Sequence, residues 1–210
     1  MNTKTLTSWL LIVGPILMFG MFAFLWPALI GEGETAASDV AELMDNPQLS
    51  LIMTAIGTLI FVGTISGLAL LSWSKAPESG AVGALGSLSS IVFVGVAAVG
   101  IAAMGSNFGV IEEGADNVAG AEMISQVAGW GLFNGLFWFW SIGNILLGAT
   151  LVVEKKLNNI VSWLFLLVGV LMVLTQIVEA DLGDIVEIVI WISMTLVTVA
   201  VGYFNLKSDS

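Results

Sequence analysis

Apolar residues in this chain gather into six long runs separated by short polar stretches. The runs cover about residues 6–30, 49–73, 81–105, 123–153, 160–178 and 185–204. As helices rising ~1.5 Å per residue, they match a hydrocarbon core of ~30 Å. The pattern predicts an all-α fold, with residues 1–210 forming one polytopic domain, a bundle of six transmembrane helices. The first run follows a short start containing Lys4, as the apolar part of a signal peptide does. It is about 25 residues long and closes on no small-x-small site, so it is read as a retained span. Pro15 and Pro27 are expected to kink it.

The fourth run holds the polar positions that bear most on function, in the stretch QVAGWGLFNGLFWFWSIGNILLG (126–148). At ~100° per residue, Gln126, Asn134, Ser141 and Asn144 share a sector roughly 80° wide with Trp130, Phe137 and Gly148. Gly131, Leu132, Gly135, Leu136, Phe139 and Leu146 make the far side. Unpaired amides in hydrocarbon are costly, so the amide side is expected to face protein and the far side lipid. That makes span four the expected central helix. Two readings fit its amides: hydrogen-bonding groups that join helices, or the lining of a pore or binding site.

The polar stretches are unequal in charge. Residues 31–46 carry Glu32, Glu34, Asp39, Glu42 and Asp45, with a short surface helix expected behind Ser38 or Asp39 as its cap. Val40, Leu43 and Met44 would share one face of it. Asn46-Pro47 reads as an N-cap followed by proline at the first helical position. A second acidic loop holds Glu112, Glu113, Asp116 and Glu122. Threaded through six spans, all five lysines (Lys4, Lys75, Lys155, Lys156 and Lys207) fall on one side. Thirteen of the sixteen acids fall on the other, leaving Glu78, Glu154 and Asp209 with the lysines. The lysine bias predicts cytoplasmic N and C termini and acidic extracellular loops. Trp9, Trp73 and Trp163 near one boundary, and Trp26, Trp130 and Trp191 near the other, fit aromatic belts.

Composition narrows the chemistry. The chain is 58% hydrophobic and 10% charged, with a net charge of −11, so the lipid bilayer is its first partner and no nucleic acid is expected. Cysteine, histidine and arginine are absent. That excludes disulfides, iron–sulfur clusters, thiol catalysis and Ser–His pairs, and removes the usual ligands of haem, zinc and copper. No G-x-S-x-G, G-x-G-x-x-G or P-loop pattern occurs. No lysine sits in mid-span to hold retinal. The expectation is therefore no enzyme, no cofactor and no metal site.

Spans five and six add candidates to the polar side of span four. Gln176 and Glu179 share a side of span five. Asp184, Glu187, Trp191, Thr195 and Thr198 recur at helical spacing along span six. The candidate crevice is thus Gln126, Asn134, Ser141, Asn144, Gln176, Glu179, Asp184, Glu187 and Thr195, with acids at its mouth and amides deeper. GTISG (63–67) and GLFNG (131–135) match small-xxx-small packing motifs, which serve contacts within the bundle or a homo-oligomer.

The segments DVAELMDNPQLSL (39–51) and IGNILLGATLVVEKKL (142–157) give the chain a form that resembles a family of uncharacterised six-span prokaryotic integral membrane proteins. The resemblance implies the same architecture and a location in a prokaryotic plasma membrane, and it brings no known active site. With small loops and no soluble domain, the chain is expected to work through its helix faces, as an accessory or assembly subunit of a membrane complex. A small channel or transporter for a cation or small solute, with an acidic outer mouth, is the alternative.

Overall fold

The computed structural model describes residues 2–177 and 184–208, apart from the side chains of Trp130, Asp184, Ile185 and Glu187. No strand occurs among the described residues. Six helices are long and apolar enough to cross a membrane: α1 (Thr3–Leu29), α3 (Pro47–Trp73), α4 (Gly80–Gly114), α5 (Val118–Glu154), α6 (Asn159–Ile177) and α7 (Asp184–Lys207). A short helix, α2 (Ala36–Asp45), lies between the first two spans. The chain is a multi-pass membrane protein with an all-α six-helix body.

Local sequence sets most helix ends. Asn46 caps α3 through a hydrogen bond from the Leu49 amide, with Pro47 at the first helical position, where a missing N–H costs nothing. The cap of α2 differs from expectation. Thr35 is the N-cap, and Thr35 and Ser38 bond reciprocally in a capping box, because Ser38 can supply the return bond three residues on. In α1, Pro15 is accommodated within the helix and a π-helical turn covers Met21–Leu25. There the Trp26 amide donates to the Met21 carbonyl, which re-registers the chain just before Pro27.

The spans close into a ring. α1 packs on α3, then α3 on α4, α4 on α5, α5 on α6, α6 on α7, and α7 returns to α1. α5 is therefore one wall of six, not a central helix, and the centre is reached by side chains. Glycines permit the tightest approaches. A Cβ on Gly148 would stand 2.6 Å from the Leu166 Cα on α6, and one on Gly202 would stand 2.9 Å from the Ser8 carbonyl oxygen on α1. Hydroxyls and an amide tie neighbours together. Ser72 and Ser89 share a hydrogen bond of 3.0 Å, Ser89 donates to the Gly143 carbonyl, and Asn205 donates to Ser8.

Two elements run longer than their apolar patterns. α4 extends to Gly114 because Val110 and Ile111 pack with Val40 and Leu43 of α2 and with Ala121, forming a small second core at the acidic end. α5 begins at Val118 and includes a π-helical segment, Ser125–Trp130. At the other end, ion pairs join the α3–α4 turn to the end of α5. Lys75 meets Glu154 at 3.0 Å, and Lys156 meets both Glu78 and Glu154. Glu78 and Glu154 are thus the partners of the lysines around them.

The facing of α5 corrects the sequence expectation in part: Ser141, Asn144 and Gly148 are buried and Phe139 is exposed, as expected, but Gln126, Asn134 and Leu136 depart from it. Leu136, Trp140, Asn144, Leu147 and Leu151 are buried, while Asn134 and Gln126 are exposed. The buried side is turned roughly 70° from the amide sector at ~100° per residue. Leu136, expected to face lipid, is only 1% exposed. The reason is depth. A ~30 Å core takes roughly 20 residues, so counting back from Val153 it ends near Asn134, where an amide can reach water. Packing of large apolar groups then decides the facing.

Candidate functional site

Between α1, α3, α4, α5 and α7, in the half of the bundle nearer the acidic loops, lies a cavity of about 250 Å³. Its walls are aromatic. α1 supplies Phe22 and Trp26, α3 supplies Phe61, α5 supplies Phe133, Phe137 and Trp140, and α7 supplies Trp191. On α5 the four-residue step from Phe133 to Phe137, and from Leu136 to Trp140, brings these side chains to one side of the helix.

The floor is a cluster of interlocked rings. Trp140 meets Phe61 and Trp191 edge-on, at centroid distances of 5.8 and 6.1 Å, and stacks on Phe137 at 6.2 Å. Such edge and offset contacts add to simple burial. Trp140 is 1% exposed, and its Nε1 has no hydrogen-bond partner among the described residues. Beneath the floor a tighter gap is lined by Thr64, Thr195 and Thr198 and shares Met18, Trp140 and Trp191 with the cavity. The Thr64 and Thr195 hydroxyls donate to the Ile60 and Trp191 carbonyls one turn back, which leaves their oxygen lone pairs free.

The mouth is polar. Asp39 stands in the first turn of α2, and its Oδ2 accepts a hydrogen bond from Ser125 of α5 at 2.6 Å. Asn107 of α4 contacts the Thr54 hydroxyl of α3 at 3.4 Å. Asp39 is the one ionisable group among the described lining residues.

Of the nine residues expected to form a crevice, the six whose side chains are described do not line one cavity. Gln126 and Asn134 are exposed, Ser141 is buried and donates to the Phe137 carbonyl, and Gln176 is half-buried near the end of α6. Asn144 is buried against α6 and α7, with its Nδ2 3.4 Å from the Met172 sulfur and 3.8 Å from that of Met194. Its Oδ1 is unpaired. Thr195 lines the gap below the floor. Glu179 lies outside the described residues, as do the side chains of Asp184 and Glu187. The cavity that does form uses α1, α3 and α4, and takes no described residue from α6. Its sequence signal was the aromatic run FNGLFWFW (133–140), read for its one asparagine rather than its rings.

The two packing motifs also part company. Gly67 of GTISG sits against Leu10 and Leu11 of α1, so that motif serves the bundle. Gly131 and Gly135 of GLFNG have open space around them, next to the exposed Asn134. No protein-family model, curated protein or solved structure matches this chain, so the site stands on its own geometry.

Proposed function

We propose that this protein is a carrier or channel for a small solute, without covalent chemistry of its own. The solute enters from the acidic side, binds in the aromatic cavity, and passes Trp140 and Trp191 toward the lysine-bearing end. By the lysine bias the acidic side faces outward and both termini lie in the cytoplasm. The observation that carries this reading is the cavity itself. Leaving about 250 Å³ unfilled in an otherwise packed bundle forfeits side-chain contacts there. A helix-face scaffold gains nothing from that loss, whereas a bound solute restores the contacts.

A second reading, the accessory or assembly subunit, draws on the open side of α5. Gly131, Asn134 and Gly135 there offer a flat, amide-bearing strip suited to another membrane helix.

Purified protein in lipid nanodiscs, heated with a panel of small amines, alcohols and amino acids, tests the first reading. At least one class should raise the melting temperature and be taken up by proteoliposomes. If no solute shifts melting, liposomes stay tight and a partner survives mild detergent, the accessory reading replaces it.

A further inference from the structure

We infer that the cavity selects a small organic ammonium ion, an inference that rests on the cavity being a solute site. Two observations converge. First, the walls present the π faces and edges of Phe22, Trp26, Phe133, Phe137, Trp140 and Trp191, and aromatic boxes of this kind attract ammonium groups through the ring quadrupole. The attraction grows where water is excluded. Second, the one ionisable group among the described lining residues is a carboxylate, Asp39, at the mouth. It is held by the Ser125 hydroxyl at 2.6 Å, and its negative charge sits in the first turn of α2, where a helix N-terminus favours it. No lysine lines the cavity to welcome an anion.

Size and field agree. About 250 Å³ is just under the ~300–1,000 Å³ of drug-sized sites, which admits a compact ion and rejects a bulky one. Outside the mouth, Glu42 on α2 and Glu113 on α4 belong to the acidic end, and their field concentrates cations there. A bare alkali ion is a poor match, because aromatic walls do not replace its hydration shell. A weakly hydrated ammonium loses little on transfer.

The test uses the full-length protein in nanodiscs and three probes: tetramethylammonium, choline, and 3,3-dimethylbutan-1-ol, the neutral carbon isostere of choline. Melting-temperature shifts and titration calorimetry read the binding. Both cations should bind, with the neutral isostere roughly tenfold weaker or more, the scale of a desolvated charge–ring contact. Asp39→Asn, which keeps an acceptor for Ser125, should weaken the cations by a similar factor and leave the isostere unchanged. Trp26→Leu should weaken the cations as well, and it tests the box if the Asn variant folds poorly. Glu112→Gln, an acidic-end control away from the cavity, should do nothing. Equal binding of choline and its isostere, or cation binding indifferent to both Asp39→Asn and Trp26→Leu, overturns the ammonium inference and leaves a solute site. Binding of other solutes with no response to either cation does the same. If nothing binds and native mass spectrometry finds a lipid retained by wild type and lost from Trp26→Leu, the solute reading falls with it.

Discussion

Trp140 of α5 stands edge-on to Trp191 of α7, ring centroids 6.1 Å apart and planes at 85°, across the centre of the helix ring. The two indoles separate the aromatic cavity from the threonine-lined gap below it. Of the pair, Trp191 is the more accessible and Trp140 the more deeply set.

Trp191→Ala should therefore join the two spaces with a tolerable loss of stability, while Trp140→Ala should cost about 3–5 kcal/mol as a core truncation. Proteoliposomes carrying Trp191→Ala are expected to pass small solutes faster than wild type. Unchanged flux through a folded Trp191→Ala protein would show that the indoles are not the barrier.

Two glycines of α5 predict opposite outcomes for one methyl group. Gly148→Ala places a Cβ against the Leu166 backbone, and overpacking of that kind costs about 1–3 kcal/mol. Gly135→Ala meets nothing within 4 Å and should be neutral or slightly stabilising by helix propensity. Gly135→Leu distinguishes further. If a second chain or a partner covers that strip, the Leu variant should lose the association seen for wild type by cross-linking in membranes.

Asn144→Leu should be close to neutral for stability, and not a loss as a hydrogen-bonding role would require. Its Nδ2 reaches only two thioether sulfurs, which are weak acceptors, and its Oδ1 is unpaired. Leu136→Asn should be strongly destabilising, because it puts an amide into the core. Thermal denaturation of the two variants side by side checks both statements.

Orientation can be read with thiols, since the chain has no cysteine of its own. Cysteines introduced at Ala36 and Ala115, at the acidic end, should react with an impermeant reagent applied to intact cells. Cysteines at Ser79 and Ser208 should react only after lysis. The opposite pattern would invert the topology that the lysines imply.

At the lysine end, the Lys156 ammonium bonded to Glu78 holds the Glu78 carboxyl below its ordinary value, and the same bond raises Lys156. A depressed acid contributes its full stabilisation above its unfolded value and loses it as pH falls through the folded one. A raised base contributes fully below its unfolded value and loses it as pH rises through the folded one. The pair thus contributes most around neutrality. Any difference in melting temperature between wild type and Glu78→Gln should be present at pH 7 and vanish on acidification below the carboxylate range. Both groups are solvent-exposed, so the difference should also shrink in high salt.

The number of spans, their approximate limits, the Asn46–Pro47 start of α3 and the buried faces of Val40 and Leu43 were all legible along the chain. Each depends on local properties: apolar length against a ~30 Å core, capping chemistry, and helical periodicity. The sorting of lysines from most acids was equally local, and the Lys75–Glu154 and Lys156–Glu78 pairs account for two of the three acids it left over. What tertiary structure alone decided was facing and neighbourhood. The amide sector of α5 is a true feature of the sequence, but Gln126 and Asn134 lie at a depth where water can satisfy them. The helix was free to turn Leu136 and Trp140 inward instead. The cavity joins Trp26, Phe61, Phe133, Trp191 and Asp39 from separate elements, and no spacing along the chain encodes that meeting. It arises because the spans close into a ring whose centre is filled by two indoles and, on the acidic side of them, is left open between the described side chains.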